Sequence, residues 1–519
     1  MILGKPFRDH TAPDSPFRRT TLDDLFRRAV ERRGDALAII DPPNRARFTD
    51  GAPRRLTYAE ADRVVSTIAA RLTELGLKTD AIIALQLPNT IESVLTLLGV
   101  LRAGMIAAPL PLLWRQLDAV PALSRIGARA LITSRRVGPV DYGELAMHIA
   151  AETFTIRFLC AFGEEQLDGF VALDDVFDAA APADIHHERG GNPADHVAVV
   201  TFDTMTEGLV PIARSHAELV AGGIAVALEG RMGRDTHFLG ALATSSFAGL
   251  SSIVVPWLFS GGTLSLHQAF DGAAFAAQCC ERCDVAVLPG PLIFRLPEAG
   301  LVGGRRGPHT VVAVWRTPER FAGSPPWPER ECPLIDVVAF GEIGLVANRR
   351  KGEGKPAAIM AGSTAAPRNL GDGLVLVHVA RNAAGTIALT GAMVPQHAFP
   401  PGVERGGVPR LDIAEDGSVD TGYACRLDRA HGALTVNAPP AGLISVGGYR
   451  FVLKELQDLV ATLAPGSTLA ALPDGLAGHR LAGVATDRNA LRRLLTERGA
   501  NPLIVDAFRE RRGDRASAA

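Results

Sequence analysis

The chain has 519 residues and a formal net charge of −2, with a pI of about 6.7. That length exceeds what one compact core normally holds, and the small charge excludes a chain-wide field that would attract nucleic acid or an anionic membrane. The sequence opens without a secretory signal and has no uninterrupted apolar run that could span a bilayer. We therefore expect a cytoplasmic protein without nucleic-acid or membrane partners.

Helix and strand patterns alternate in the first third of the chain. Thr21 with Asp24, and Thr57 with Glu60, have the spacing of capping boxes and predict the starts of two helices. Three later segments read in order as strand, helix and strand: 81–87, 90–104 and 105–110. This order predicts parallel βαβ units and an α/β fold.

The sequence pattern changes near Gly371. There, short segments of alternating apolar and polar residues, separated by turn residues, replace the alternation of strands and helices. Such alternation is typical of antiparallel sheet. We expect a β-rich subdomain from about residue 371.

The cysteines give no sign of a metal centre. Cys279, Cys280 and Cys283 lie close together, but no second pair supplies the remaining ligands of a four-coordinate site. We interpret them as packed helix residues and predict no metal site.

Several short motifs carry a more specific signal through their order and spacing. They are Leu56 to Glu60, Leu75 to Leu77, Leu85 to Asn89, Gly99 to Gly104, Ser215-His216, Phe340-Gly341, Asp420 to Gly422 and Gly447 to Arg450. Together they resemble the acyl-adenylate-forming ligases, the AMP-binding enzymes of the acyl-CoA synthetase kind, from about residue 20 to 485.

This resemblance implies a reaction and a domain plan. Family members activate a carboxylic acid with ATP and Mg²⁺, then pass the acyl group to a thiol, usually that of coenzyme A. Their large N-terminal domain is followed by a small C-terminal domain. The position of the hinge motif predicts an N-terminal domain over residues 1–441, with the β-rich subdomain inside it, and a shortened C-terminal α+β domain over 442–519.

The segment matching the family's phosphate loop departs from the pattern Thr-Ser-Gly-Thr-Thr-Gly-x-Pro-Lys. Both loop glycines are replaced, by Thr204 and Glu207, and the lysine is replaced by Val210. Backbone access and positive charge are what such a loop offers to phosphates. Of the loop pattern, only Thr206 and the neighbouring Gly208 remain, and Thr206 is a candidate nucleotide contact. Arg214, just after this segment, is expected to be a solvated helix residue.

The family's second motif, Tyr-Gly-x-Thr-Glu, corresponds to Phe340-Gly341-Glu342 and the residues after it. An ungapped match places Ile343 and Gly344 where threonine and glutamate belong. A two-residue deletion instead restores Glu342 as the carboxylate that would meet magnesium, and the alternative is a glutamate in a turn. Glu342 is therefore the single candidate catalytic residue, with Phe340 and Gly341 as candidate nucleotide contacts.

The remaining family positions are altered as well. Thr421 survives from Thr-Gly-Asp as a candidate ribose contact, but Tyr423 replaces the aspartate. In the acyl-site motif, Ser246 occupies the position of the family's histidine and is the candidate acyl-pocket residue. No lysine follows Lys454, although the family uses one near its C-terminus for adenylation.

These departures all concern the handling of ATP. The favoured hypothesis is an AMP-binding, acyl-CoA synthetase-like protein with impaired or lost adenylation, weak or absent binding of ATP and Mg²⁺, and a retained pocket for an acyl group or coenzyme A. Two alternatives stay open. One is an active acid–CoA ligase with unconventional nucleotide contacts, and the other is a non-catalytic structural or regulatory subunit of an active ligase. The expected partners are a small carboxylic acid or acyl-CoA, with a homodimer or a hetero-oligomer as the assembly.

Overall fold

The structure is a computed structural model. It describes residues 1, 19–165, 167–180, 182, 190–268, 270–302, 307–328, 330–367, 373–400 and 408–509. The predicted start of the β-rich subdomain at Gly371 lies outside the described residues.

The helices are distributed along the whole described chain. Their bounds are α1 Leu22–Arg33, α2 Tyr58–Glu74, α3 Ile91–Arg102, α4 Gln116–Ile126, α5 Tyr142–Glu152, α6 His216–Glu229, α7 Phe247–Gly249, α8 Val255–Ser260, α9 Gly272–Glu281, α10 Arg295–Glu298, α11 Pro318–Phe321, α12 Leu453–Leu463, α13 Arg488–Glu497 and α14 Pro502–Val505.

The strands before residue 350 alternate with most of these helices. Their bounds are β1 Leu37–Ile40, β2 Arg55–Thr57, β3 Ile82–Gln86, β4 Ile106–Pro109, β5 Ala130–Ser134, β6 Arg136–Val137, β7 Val140–Asp141, β8 Phe158–Phe162, β9 Phe170–Ala172, β10 Val197–Met205, β11 Gly208–Ser215, β12 His237–Gly240, β13 Thr263–Leu266, β14 Val285–Pro289, β15 Thr310–Trp315, β16 Leu334–Phe340 and β17 Gly344–Arg349.

The later strands are β18 Ile359–Met360, β19 Gly362–Ala365, β20 Val375–Arg381, β21 Thr386–Thr390, β22 Val419–Asp428, β23 Ala433–Ala438, β24 Leu443–Val446, β25 Tyr449–Val452, β26 Thr468–Asp474 and β27 Gly478–Val484.

Two mainly parallel sheets form the large N-terminal part. The eight-stranded sheet has the order β17-β16-β15-β14-β12-β13-β1-β2, and the seven-stranded sheet has the order β11-β10-β4-β3-β5-β8-β9. Antiparallel strands lie only at their edges, namely β17, β2 and β11. Their parallel strands are apolar and almost wholly buried, as expected when helices cover both faces. The predicted α/β fold with parallel βαβ units is therefore confirmed.

Two antiparallel sheets follow in the chain. A six-stranded sheet has the order β18-β23-β22-β21-β20-β19, and a four-stranded sheet in the small C-terminal part has the order β25-β24-β27-β26. The small part has its own apolar core, to which Phe451, Val460, Leu495 and Phe508 contribute. The exact domain boundaries at residues 371 and 442 stay predictions.

Local signals set several helix starts. Thr21 and Thr57 each cap a helix through reciprocal bonds with Asp24 and Glu60, as predicted from their spacing.

No helix within the described ranges is long and apolar enough to cross a membrane.

Candidate functional site

The segment matching the phosphate loop is a strand hairpin. Strands β10 and β11 pair without interruption from Val199 opposite Arg214 to Met205 opposite Gly208. Only Thr206 and Glu207 lie between the strands, and both are exposed. Val210 pairs with Asp203 and is buried. The segment is therefore extended and paired backbone, in which alternate N–H and C=O groups bond across the ladder, rather than an open loop.

Arg214 is not the solvated helix residue expected from the sequence. It lies in β11 with its side chain buried, and its guanidinium stacks 3.6 Å from the centre of the Phe247 ring. It donates hydrogen bonds to the backbone oxygens of Met393, Glu342 and Ile343. Burial lowers the pKa of Arg214 to about 10, so the group stays charged at neutral pH.

Glu342 lies in the three-residue connection between β16 and β17, and its side chain is 2% exposed. Oε2 accepts a 2.6 Å hydrogen bond from the backbone N–H of Phe247, and Oε1 lies 3.6 Å from Nη2 of Arg316. Burial raises the pKa of this carboxyl despite the favourable charge of Arg316.

Gly341 makes the turn before Glu342 possible. Its φ is +59°, a left-handed conformation that side chains disfavour. A Cβ there would also clash with Oδ2 of Asp203 and would lie 2.6 Å from Nη1 of Arg450. Glycine at this position therefore lets the turn pack directly on an ion pair.

That ion pair joins Asp203 of β10 to Arg450 of β25. Nη1 of Arg450 lies 3.0 and 3.1 Å from the two carboxylate oxygens of Asp203, and Nη2 donates a 2.6 Å hydrogen bond to the hydroxyl of Tyr423. Oδ2 of Asp203 also accepts from the backbone N–H of Glu342 at 2.8 Å. Burial raises the pKa of Tyr423 to about 12. One network therefore connects the hairpin, the Glu342 turn and the small C-terminal part.

A cavity of about 250 Å³ lies beside this network, between the large and small parts. Its apolar wall includes Trp114 and Phe202, whose ring centres are 5.2 Å apart. Its polar wall includes Asp203, Glu342, Arg316 and Arg450. The cavity therefore combines an aromatic surface with two guanidinium groups.

The two guanidinium groups of this cavity differ in what they already bind. Arg450 is engaged by Asp203 and Tyr423. Within the part of the chain that the structure describes, Arg316 forms only the 3.6 Å ion pair with Glu342, and its side chain is 35% exposed. Since a guanidinium has five N–H donors, Arg316 is the cation with capacity left for an anionic ligand.

The candidate nucleotide residues Thr206 and Thr421 line a different cavity of about 540 Å³. Its wall also includes Glu207, Asp412 and Asp420. The hydroxyl of Thr421 already donates to the backbone oxygen of Ile387 and accepts from the N–H of Tyr423.

The other predicted contacts are divided between the turn and the protein interior. Phe340 is buried at the end of β16, with its ring edge-on to Tyr423 at 5.6 Å. Ser246 caps α7 by accepting from the N–H of Gly249 and lies in the wall of neither cavity described above. Its neighbour Ser245 lines the 250 Å³ cavity. Thus Glu342 lines that cavity, whereas Gly341, Thr206, Thr421 and Ser246 do not.

The segment that matches the phosphate loop lacks the open loop and the lysine of the family pattern. The hairpin offers no open backbone nest, Val210 is buried in the ladder, and the turn carries Glu207. The carboxylate of Asp203 already neutralises Arg450. No group of three or more His, Cys, Asp or Glu side chains arranged for a metal ion occurs in the described ranges.

Sequence reasoning did not identify the Asp203–Arg450 pair or the position of Arg316. In the sequence, Arg450 stands out only as the last residue of the Gly-Gly-Tyr-Arg motif. The two members of the pair are 247 residues apart, so periodicity carries no signal for their contact. The replacement of the family's aspartate by Tyr423 was one signal in the sequence that this position has a different partner. The phenol hydroxyl of Tyr423 accepts a hydrogen bond from Arg450.

Comparison with known proteins agrees with this architecture. A family model described as AMP-binding enzyme matches residues 26–295. The 2-hydroxy-7-methoxy-5-methyl-1-naphthoate–CoA ligase of Streptomyces carzinostaticus is 27% identical over 263 residues, which make up 49% of this chain and 47% of that enzyme. A bassianolide synthetase of Beauveria bassiana is 31% identical over 124 residues, or 24% of this chain and 4% of the synthetase. The chain therefore spans less than half the length of either relative.

Solved structures share the fold over nearly the whole chain. An o-succinylbenzoate CoA synthetase from Bacillus subtilis superposes with a TM-score of 0.66 at 16% identity and covers 92% of each chain. The amide bond synthetase McbA from Marinactinospora thermotolerans superposes with a TM-score of 0.67 at 16% identity, covering 92% of this chain and 94% of that one. Since the family model matches just over half of the sequence and the fold agrees, the chain belongs to the AMP-binding enzyme family.

Proposed function

We propose that this chain binds a carboxylic acid or its thioester in the 250 Å³ cavity and that its ATP-dependent adenylation is impaired or lost. One observation carries the second half of the proposal. The nine residues that match the phosphate loop form a strand pair closed by Thr206 and Glu207. Successive N–H groups of paired extended strands point to alternate sides, so they do not converge on one phosphate as those of a loop do.

Charge supports the same conclusion. Asp203 lies where the hairpin meets the cavity and is 4% exposed, and Glu207 occupies the turn. Two carboxylates near a triphosphate are unfavourable at any protein dielectric, because like charges repel more strongly where water is excluded. Arg450, the cation that contacts Asp203, is already paired with it and so offers less charge to a phosphate.

The acid-binding half of the proposal rests on Arg316 and the aromatic wall. A carboxylate in the cavity can accept hydrogen bonds from Arg316, and charge-assisted bonds of this kind are stronger than neutral ones. Trp114 and Phe202 can bury the acyl body beside it. One relative is a naphthoate–CoA ligase, which supports an aromatic acid as the first class to test.

Three separate measurements test the proposal. The chain is incubated with ATP, Mg²⁺, coenzyme A and a panel of aromatic and aliphatic acids, and pyrophosphate is measured. We expect no acid-dependent release. Calorimetric titration with ATP–Mg²⁺ should give no micromolar binding, which would require about 8 kcal/mol. Carboxylates, titrated without nucleotide, should bind.

An active acid–CoA ligase with unconventional nucleotide contacts is the second candidate. It is favoured by Glu342, a buried carboxylate in the cavity wall that a two-residue deletion aligns with the glutamate of the family motif. Acid-dependent pyrophosphate release that a Glu342→Gln variant loses would establish this candidate and overturn the proposed loss of adenylation.

A further inference from the structure

A small second cavity lies next to the proposed acid site. Its wall includes Asn89, Ser93, Leu97 and Leu112, and it has room for about 20 Å³, the space that one water-sized group needs. Ser245 lines both this cavity and the 250 Å³ cavity. The two spaces are therefore neighbours that share one wall residue.

The side-chain amide of Asn89 has a fixed orientation. Its Nδ2 donates to the backbone oxygens of Gly240 and His267, each at 3.0 Å. A flipped amide would point its oxygen at both carbonyl oxygens, so this arrangement identifies Oδ1 as the acceptor atom.

Oδ1 of Asn89 has no hydrogen-bond partner among the described residues, although Asn89 is only 4% exposed. Leaving a buried acceptor unpaired is unfavourable, and most buried polar atoms in proteins are paired. An O–H or N–H group that reaches Oδ1 from the small cavity would satisfy this acceptor.

We propose that the acyl group of the ligand extends past Ser245 and places a terminal hydroxyl or amino group against Oδ1 of Asn89. This inference rests on the proposed function, because it assigns the substrate class of the same site. The ligand class is a carboxylic acid with an apolar body, a carboxylate near Arg316 and a hydrogen-bond donor at its far end. An apolar or acceptor-only end would leave Oδ1 unpaired.

A matched ligand series tests the inference by calorimetry. Benzoate, cinnamate, hexanoate, octanoate and decanoate are each compared with their terminal hydroxy and methoxy derivatives, since a methoxy group has similar polarity but cannot donate. At the length that spans the two cavities, we expect the hydroxy acid to bind about tenfold more tightly than either comparator.

Two variants and one control variant locate the effect. Asn89→Ala should remove the preference for the hydroxy acid. Ser93→Ala, in the same cavity wall, should keep it, because the hydroxyl of Ser93 already donates to the backbone oxygen of Thr90. Because Asn89 also bonds the backbone at Gly240 and His267, its removal could disturb the fold. Ser93→Val is therefore a second test variant. It fills the small cavity while retaining those bonds, and it should also remove the preference.

The outcomes separate this inference from the proposed function. If no carboxylate binds, both are overturned. If carboxylates bind but the hydroxy, methoxy and unsubstituted acids bind equally at every length, then acid binding stands and the role of Asn89 is overturned, with a bound water as the partner of Oδ1. A hydroxy preference that survives in both Asn89→Ala and Ser93→Val also overturns it.

Discussion

Asp203 and Arg450 form a buried ion pair across 247 residues of sequence, with Nη1 of Arg450 at 3.0 and 3.1 Å from the two carboxylate oxygens. Asp203 belongs to the edge hairpin of a parallel sheet, whereas Arg450 belongs to the small C-terminal sheet. The pair therefore attaches the small part to the segment that the family uses for phosphates.

Removing one member of this pair should be costly. Asp203→Ala leaves the Arg450 guanidinium buried without its carboxylate, and such changes lower the free energy of unfolding by about 3–5 kcal/mol. Asp458→Ala is the control, since its ion pair with Lys454 is exposed and is worth at most about 0.5 kcal/mol. Urea denaturation of both variants measures the difference, and equal stabilities would contradict the assigned role.

Gly341 should tolerate alanine much less than Gly447. Both have a φ of +59°, so the left-handed conformation should lower the free energy of unfolding of each alanine variant by about 1–2 kcal/mol. Only at Gly341 does a Cβ meet other atoms, those of Asp203 and Arg450, whereas nothing lies within 4 Å of a Cβ at Gly447. We expect Gly341→Ala to cost about 1–3 kcal/mol more. Thermal unfolding of the two variants provides the test, and equal losses would show that the turn relaxes freely.

Asp118 should make stability depend on pH. Burial raises its pKa from 3.8 to about 6, although the N–H of Arg115 and the amide of Asn501 oppose the shift. The folded state holds this proton between about pH 4 and 6, where the unfolded chain has released it, so the contribution of Asp118 to stability falls as pH rises through that window. Relative to Asp118→Asn, the wild type should therefore lose stability from pH 4 to 7. Urea denaturation at several pH values tests this, and a constant difference would refute it.

Arg316 should control the affinity for carboxylates. Arg316→Gln removes the one cavity guanidinium with free donor capacity that we identify in the described chain, and we expect binding to weaken about 10- to 100-fold. Arg320→Gln is the control, because that side chain bonds the backbone oxygen of Asp474 and does not line the cavity. Calorimetry with benzoate compares the two. Equal effects would place the carboxylate elsewhere.

The sequence predicts those parts of the structure that depend on local patterns. The caps at Thr21 and Thr57 and the βαβ order follow from residues within one or two helical turns. Arg214 was placed wrongly because the segment around Pro211 was matched to a phosphate loop, whereas it forms strand β11. Proline is tolerated there since β11 is an edge strand. Contacts such as Asp203 with Arg450 depend on how distant segments dock, and that information is absent from local spacing.

The hairpin of β10 and β11 has a further consequence for motion. Opening its turn enough to enclose a ligand would break the pairs Met205–Gly208, Thr204–Leu209 and Asp203–Val210 in turn. The last of these also carries the carboxylate that holds Arg450 and the N–H of Glu342. Unzipping the hairpin and releasing the small C-terminal part are therefore expected to be one cooperative event rather than two independent ones. Amide hydrogens of β10, the Glu342 turn and β25 should accordingly exchange with solvent at a common rate.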